Sequence, residues 1–267
     1  MMKKGWKKLP YIYVAIITIL TYVPILLTVV YSFNESKLTT TWDGFSLKWY
    51  EELFRDREIR EALVNSLILA GLSCLCAAVI GTTGALGMYR RKSKLNEAVA
   101  SVSMIPIMIP EIILGMVFLS VFSLMGLPFG MLTLVIAHTT FCVPYIYSMV
   151  KARLAGMDKS LEEAALDMGA SPIRTFFDIT LPLIMPAILS GGMLAFAMSF
   201  DDVVISIFVT GPTVNTLPIK IYTKMKTGVT PEINALATMM LLITIILLIL
   251  SAFFGRKNKI QKQGGKQ

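Results

Sequence analysis

Apolar stretches of membrane-crossing length alternate with short polar segments along this chain. A spanning helix needs about 20 apolar residues, and residues 11–31 supply the first. Lys3, Lys4, Lys7 and Lys8 precede it like the start of a secretory signal. No small-residue cleavage site follows a short core, so it reads as an uncleaved span. Residues 32–61 are polar and acid-rich, an extramembrane segment holding Trp42 and Trp49. The second span covers 62–89 and stops at Arg90, Arg91, Lys92 and Lys94; the third, 98–122, carries Pro106 and Pro110. A Gly126–Pro128–Gly130 turn leads to the fourth span, 131–150, and a polar loop, 151–182, follows. The fifth span is 183–209 and the sixth 233–254. The pattern predicts an all-α polytopic membrane protein: a basic N-terminus (1–10), a six-helix domain (11–254) and a basic tail (255–267).

Composition agrees with that pattern. Of 267 residues, 55% are hydrophobic and 16% charged, against roughly a quarter charged in soluble domains. A soluble domain, a disordered chain and a disulfide scaffold are excluded. The net charge of +8 reads as orientation. Of the 25 basic residues, 17 fall in the N-terminus, the 90–97 loop, the 151–182 loop and the tail. By the positive-inside rule these are cytoplasmic, both termini included. Basic residues scattered at span ends do not make a nucleic-acid site.

The remaining chemistry is sparse. Cys74, Cys76 and Cys142 lie in apolar stretches as small helix residues. Cys74 and Cys76 diverge by about 200° on a helix and share no metal. The single histidine, His138, reads as a satisfied buried side chain, and one intramembrane histidine makes a Ser-His-Asp site improbable. No G-x-x-x-x-G-K-[ST] loop occurs. No cofactor, metal or catalytic group is expected, so any ATP-driven work is driven by another subunit.

Within 151–182, Ser160 and Glu163 are spaced as a capping box, starting a helix near Leu161. Leu161, Ala164, Ala165 and Met168 share one face, Gly169 is a left-handed terminator, and Ser171-Pro172 starts a second helix. Its apolar face is Ile173, Phe176 and Phe177, and Pro182 is expected to end it. Such a hairpin either docks a partner or lies on the membrane or its own bundle.

An ionisable group in a span costs about 2.5–3.5 kcal/mol on insertion scales. Glu111, Asp201 and Asp202 are the three acids in the predicted spans, and no basic residue accompanies them. Along straight helices Glu111 stands about 20 Å and Asp202 about 24 Å from the cytoplasmic face. Pro106 and Pro110 deprive the carbonyls of Val102 and Pro106 of helical donors, and broken helices are typical of transport sites. Ala195, Ser199, Asp202 and Ser206 form a small, polar helical stripe. Asp202 is therefore expected to face the path squarely and Asp201 to lie at its edge or against a neighbour. Uncompensated carboxylates suit a cationic solute. Phe118 and Phe122 above Glu111 are packing contacts or cation–π partners, and Trp49 is an interfacial anchor or a substrate contact.

Glu163-Ala164-Ala165, Gly169-Ala170, Phe176, Ile179 and Leu181-Pro182 resemble the EAA loop of bacterial ABC-importer permeases, the inner-membrane components of binding-protein-dependent transport. The resemblance extends over nearly the whole chain. Trp49-Tyr50, Ser199-Phe200-Asp201-Asp202, Phe208 to Pro212, Leu217 to Tyr222 and Pro231 to Thr238 are similar to the spermidine/putrescine permease branch. Glu111 departs from the shorter carboxylate common there, keeping charge and changing reach. The resemblance implies half a translocation pathway in the bacterial inner membrane, with Glu111, Asp201, Asp202, Ser199 and Trp49 along it. It also implies coupling through Glu163, Ala164, Ala165, Gly169, Phe176 and Phe177 to two copies of a cytoplasmic ABC ATPase. A second, homologous permease subunit, an extracytoplasmic polyamine-binding protein and lipid are the other implied partners. An importer of ferric ion, an amine osmolyte or an oligopeptide, an intramembrane enzyme and a non-transporting scaffold stay open as alternatives.

Overall fold

The computed structural model describes residues 9–37, 41–90, 93–228 and 230–263. The N-terminal lysines, Arg91, Lys92 and Lys266 lie outside them. The described chain is helical throughout, with one isolated antiparallel bridge between Asn34 and Phe45. Five helices are long and apolar enough to cross a membrane, and a sixth crossing is present if a bent pair counts as one span. Four of the five are α1 (Leu9–Tyr31), α3 (Arg57–Arg90), α7 (Met131–Ala155) and α13 (Pro231–Gln263).

Two spans differ from the continuous helices expected. The third is α4 (Lys94–Ser103), α5 (Ile105–Met108) and α6 (Glu111–Leu124), with a bend of 110° before Glu111. Ile109 and Pro110 are extended (ψ 132° and 134°), because a residue before proline is pushed out of the helical region. Counting residues along a straight span therefore does not give the depth of Glu111. The fifth span is α10 (Leu181–Asp201), which ends before an extended Asp202, followed by α11 (Val204–Val209).

The chain divides into two compact units. One holds residues 1–60 and 220–242. Within it, α2 (Lys48–Arg55) buries Trp49 and Leu53. The Trp49 Nε1–H donates to the Asn34 carbonyl at 2.7 Å, and Phe33 stacks on Phe45 at 5.3 Å. Lys224, on α12 (Leu217–Thr227), pairs with Glu232 at 2.5 Å and Asp56 at 3.7 Å. Lys220 pairs with Glu58. These contacts bring residues 56–58 beside α12 and the start of α13.

The other unit holds residues 61–219 and 243–267 and is built around α7. Of the best apolar window of α7, 61% is buried, against 28% for α3. Leu134, Ala137, Cys142, Ile146, Val150 and Leu154 are completely buried there. Phe118 and Phe122 stack at 5.6 Å and are buried, which settles them as packing contacts.

After α11 the chain turns at Gly211 (φ +71°), where a Cβ would run into the Phe129 carbonyl. Gly211→Ala should therefore destabilise the purified protein by at least about 1–2 kcal/mol, the cost of a left-handed non-glycine residue. The measurement is the midpoint of thermal unfolding in detergent.

Candidate functional site

The two helix breaks open onto one cavity of about 420 Å³, lined by Glu111, Asp201 and Asp202 together with Phe141 and Met198. All three membrane acids singled out in the sequence thus meet in one place. No basic side chain lines it. Glu111 is the first residue of α6, where the helix dipole favours a carboxylate. The α6 and α11 half-helices are packed together: Phe208 of α11 lies on Gly115 of α6, where a Cβ would overlap its ring.

The neighbouring aspartates are held differently, and not as the helical stripe predicts. Asp202 leaves the helix and turns its carboxylate onto the first turn of α11. It accepts from Ser206 N and Ser206 Oγ, both at 2.8 Å, and from Ile205 N at 3.3 Å. Its side chain is only 6% exposed, whereas Asp201 is exposed. The stripe reasoning assumed a continuous helix. The break turns Asp202, still on the cavity wall, onto α11 and leaves Asp201, at the end of α10, as the more exposed of the two.

His138 is fully buried and bonded on both sides, to Ser199 Oγ at 2.7 Å and Ser206 Oγ at 3.0 Å. Its Nε2 stands 3.5 Å from Asp202 Oδ2. The sequence reading of a satisfied histidine holds, but its link to Asp202 had no sequence signal, since the partners come from another helix. Ser199 is itself buried, with its hydroxyl on His138. Trp49 belongs to the other unit, buried, with its indole N–H engaged by Asn34.

The segment after α7 forms the expected helical hairpin, with local corrections. Its first helix, α8 (Ser160–Asp167), starts without the Ser160–Glu163 capping box. Asp158 acts instead, its Oδ1 accepting from Ser160 N at 3.0 Å. Backbone and then side-chain hydrogen bonds from Ser160 hold the Asp158 carboxyl below its usual range. This anchor is thus present above the usual carboxylate range and lost as pH falls through the lowered value. Gly169 takes the left-handed conformation (φ +86°). Its N–H bonds Leu166 O and that of Ala170 bonds Ala165 O, satisfying the end of α8. Ser171 caps α9 (Pro172–Thr175) through Arg174 N at 3.3 Å, with Pro172 in the first turn.

Pro182 does not end this second helix. A π-helical turn, Phe176–Thr180, carries α9 straight into α10, and Pro182 sits in the first turn of α10, where its missing N–H costs little. Leu161, Met168, Ile173 and Phe177 are exposed, as are Glu163 and Ala164, while Ala165 and Phe176 are half-buried. One end of the hairpin is tied down by Thr180, buried, whose hydroxyl donates to Glu162 Oε1 at 2.5 Å.

Apolar helices, a carboxylate cavity at two helix breaks and a hairpin with an open apolar face define a helical membrane-transport subunit. The chain belongs to the family of binding-protein-dependent transport system inner membrane components, which matches residues 77–260. It is 40% identical over 237 residues to the spermidine/putrescine transport system permease protein PotC of Haemophilus influenzae, covering 89% of this chain and 92% of that one. It is 44% identical over 227 residues to the putrescine transport system permease protein PotI of Escherichia coli K12, covering 82% and 81%. In fold it is similar to a bacterial ABC transporter involved in the import of the acidic polysaccharide alginate, with a TM-score of 0.73 and 17% identity over 96% of this chain and 97% of that one.

Removing the hairpin's buried hydroxyl in Thr180→Val should cost about 1.5–3 kcal/mol, the worth of a hydrogen bond to a charged group. Thermal unfolding of purified protein reads the loss, and Thr180→Ser should recover most of it.

Proposed function

We propose that this chain is the permease subunit of an ATP-binding-cassette importer for polyamines, putrescine and spermidine. The observation that carries the reading is the gathering of Glu111, Asp201 and Asp202 in one cavity with no basic side chain lining it. Separated carboxylates engage the ammonium groups of a flexible polyamine in turn, at the broken helices where transporters place their sites. Ser199 and Trp49 join the path on the strength of the family resemblance. The relatives that transport spermidine and putrescine support the same solute class.

Both termini and the 151–182 hairpin are cytoplasmic, by the positive-inside distribution of lysine and arginine. The hairpin docks into an ABC ATPase through Glu163, Ala164, Ala165, Gly169, Phe176 and Phe177, and transmits ATPase closure to α10. Hydrolysis belongs to two copies of that ATPase. A second, homologous permease subunit completes the path, and an extracytoplasmic binding protein delivers the solute from outside the inner membrane.

Uptake of labelled putrescine, with the chain co-expressed with its transporter partners, tests the reading. Glu111→Gln with Asp201→Asn should lower initial uptake about tenfold or more at equal membrane abundance, since two charges lining the cavity are removed. Undiminished uptake would assign the cavity to another solute. Gly169→Asp places a non-glycine residue at φ +86° and should abolish both uptake and binding-protein-stimulated ATP hydrolysis. Retained coupling would refute the docking role.

A further inference from the structure

The cavity's acids differ in how they are held, and the difference runs through His138. Ser206 Oγ donates to Asp202 Oδ2, leaving its lone pairs to accept from the His138 Nε2–H at 3.0 Å. With the neutral ring protonated there, Nδ1 accepts from Ser199 Oγ at 2.7 Å. One directional chain of donors thus runs from Ser199 through His138 and Ser206 to Asp202. It ties α7 to both sides of the break between α10 and α11. Asp202 receives three protein donors, out of about four lone-pair sites on a carboxylate. Little capacity is left for a mobile ammonium. Asp201 and Glu111 are both exposed and line the same cavity.

We propose that His138 is a positioning residue which, through Ser206, holds Asp202 as the cap of α11, so that Asp201 and Glu111 are the carboxylates that meet the substrate's ammonium groups. The substrate in this statement rests on the polyamine reading above; the positioning does not. The effect extends to Glu111, because Phe208 of α11 lies on Gly115 of α6. Fixing the first turn of α11 fixes the helix that starts at Glu111, and with it the separation of the two open acids.

Two measurements on the complete transporter test this. In putrescine uptake, Asp201→Asn should raise the half-saturating concentration about tenfold, as loss of a directly contacting charge does. His138→Leu should instead lower maximal uptake about tenfold by leaving buried hydroxyls unpaired. His138→Gln, whose Nε2 hydrogens can replace the imidazole donor to Ser206, should recover most of that loss. If His138→Gln is as impaired as His138→Leu, or His138→Leu shifts half-saturation as Asp201→Asn does, the positioning role is wrong.

The second measurement needs no substrate. With Cys74, Cys76 and Cys142 replaced by serine, a water-soluble cationic methanethiosulfonate should modify Asp201→Cys about tenfold faster than Asp202→Cys, following the difference in exposure. With Asp202 intact, adding His138→Leu should raise the modification rate at Val204→Cys, in the first turn of α11 and on the cavity wall, several-fold, and adding His138→Gln should not. Equal rates at Asp201→Cys and Asp202→Cys, or no change at Val204→Cys on adding His138→Leu, would overturn the proposal. If the thiol pattern holds while Asp201→Asn leaves putrescine uptake untouched, the positioning stands and the polyamine reading falls.

Discussion

Inside hydrocarbon a backbone N–H or C=O without a partner costs several kcal/mol, and this constraint governs where the chain is allowed to stop being helical. Both mid-span breaks obey it. At 109–110 proline removes the donor altogether. At 202–203 the Asp202 carboxylate takes up the amides of Ile205 and Ser206 that the break exposes. That carboxylate in turn needs its own compensation, which Ser206 provides with His138 behind it. Ser199, Asp202 and Ser206 in the fifth span are therefore parts of one repair.

The same accounting explains the hairpin. Its short helices bury little, so their ends must be satisfied locally: Asp158 at the start of α8, the Gly169 turn at its end and Ser171 at the next start. With the backbone looked after by caps, the side chains of Leu161, Ile173 and Phe177 stay exposed. The π turn then passes any movement of α9 directly into α10, whose far end is Asp201. A continuous helical element thus joins the hairpin to one wall of the carboxylate cavity.

Much of this was legible in the chain. The long apolar helices followed from run length, the hairpin from Gly169 and Ser171-Pro172, and the singling out of Glu111, Asp201 and Asp202, which line one cavity, from the cost of a charge in a span. What escaped were the consequences of contacts between distant residues. A helix break at Asp202 has no local marker, because no proline or glycine stands beside it; it depends on His138, some 60 positions earlier. Reading Asp201 and Asp202 by helical periodicity therefore inverted their exposure. The missing capping box has a local cause, since Asp158 reaches the Ser160 amide before Glu163 can close the box. Pro182 was misread because a terminator and a first-turn proline look alike without the π turn that precedes this one.

The first helix follows a different regime from the rest. None of its best apolar window is buried against this chain, whereas 61% of that of α7 is. Its apolar side chains are exposed, so packing within this chain places no demand on which one stands at each position. Substitutions among Ile, Leu, Val and Tyr in α1 can accumulate freely as far as this fold is concerned, while single methyl groups matter in α7. Sequence drift across relatives should accordingly run fast along α1 and slowly along α7, except at α1 positions that a partner subunit grips.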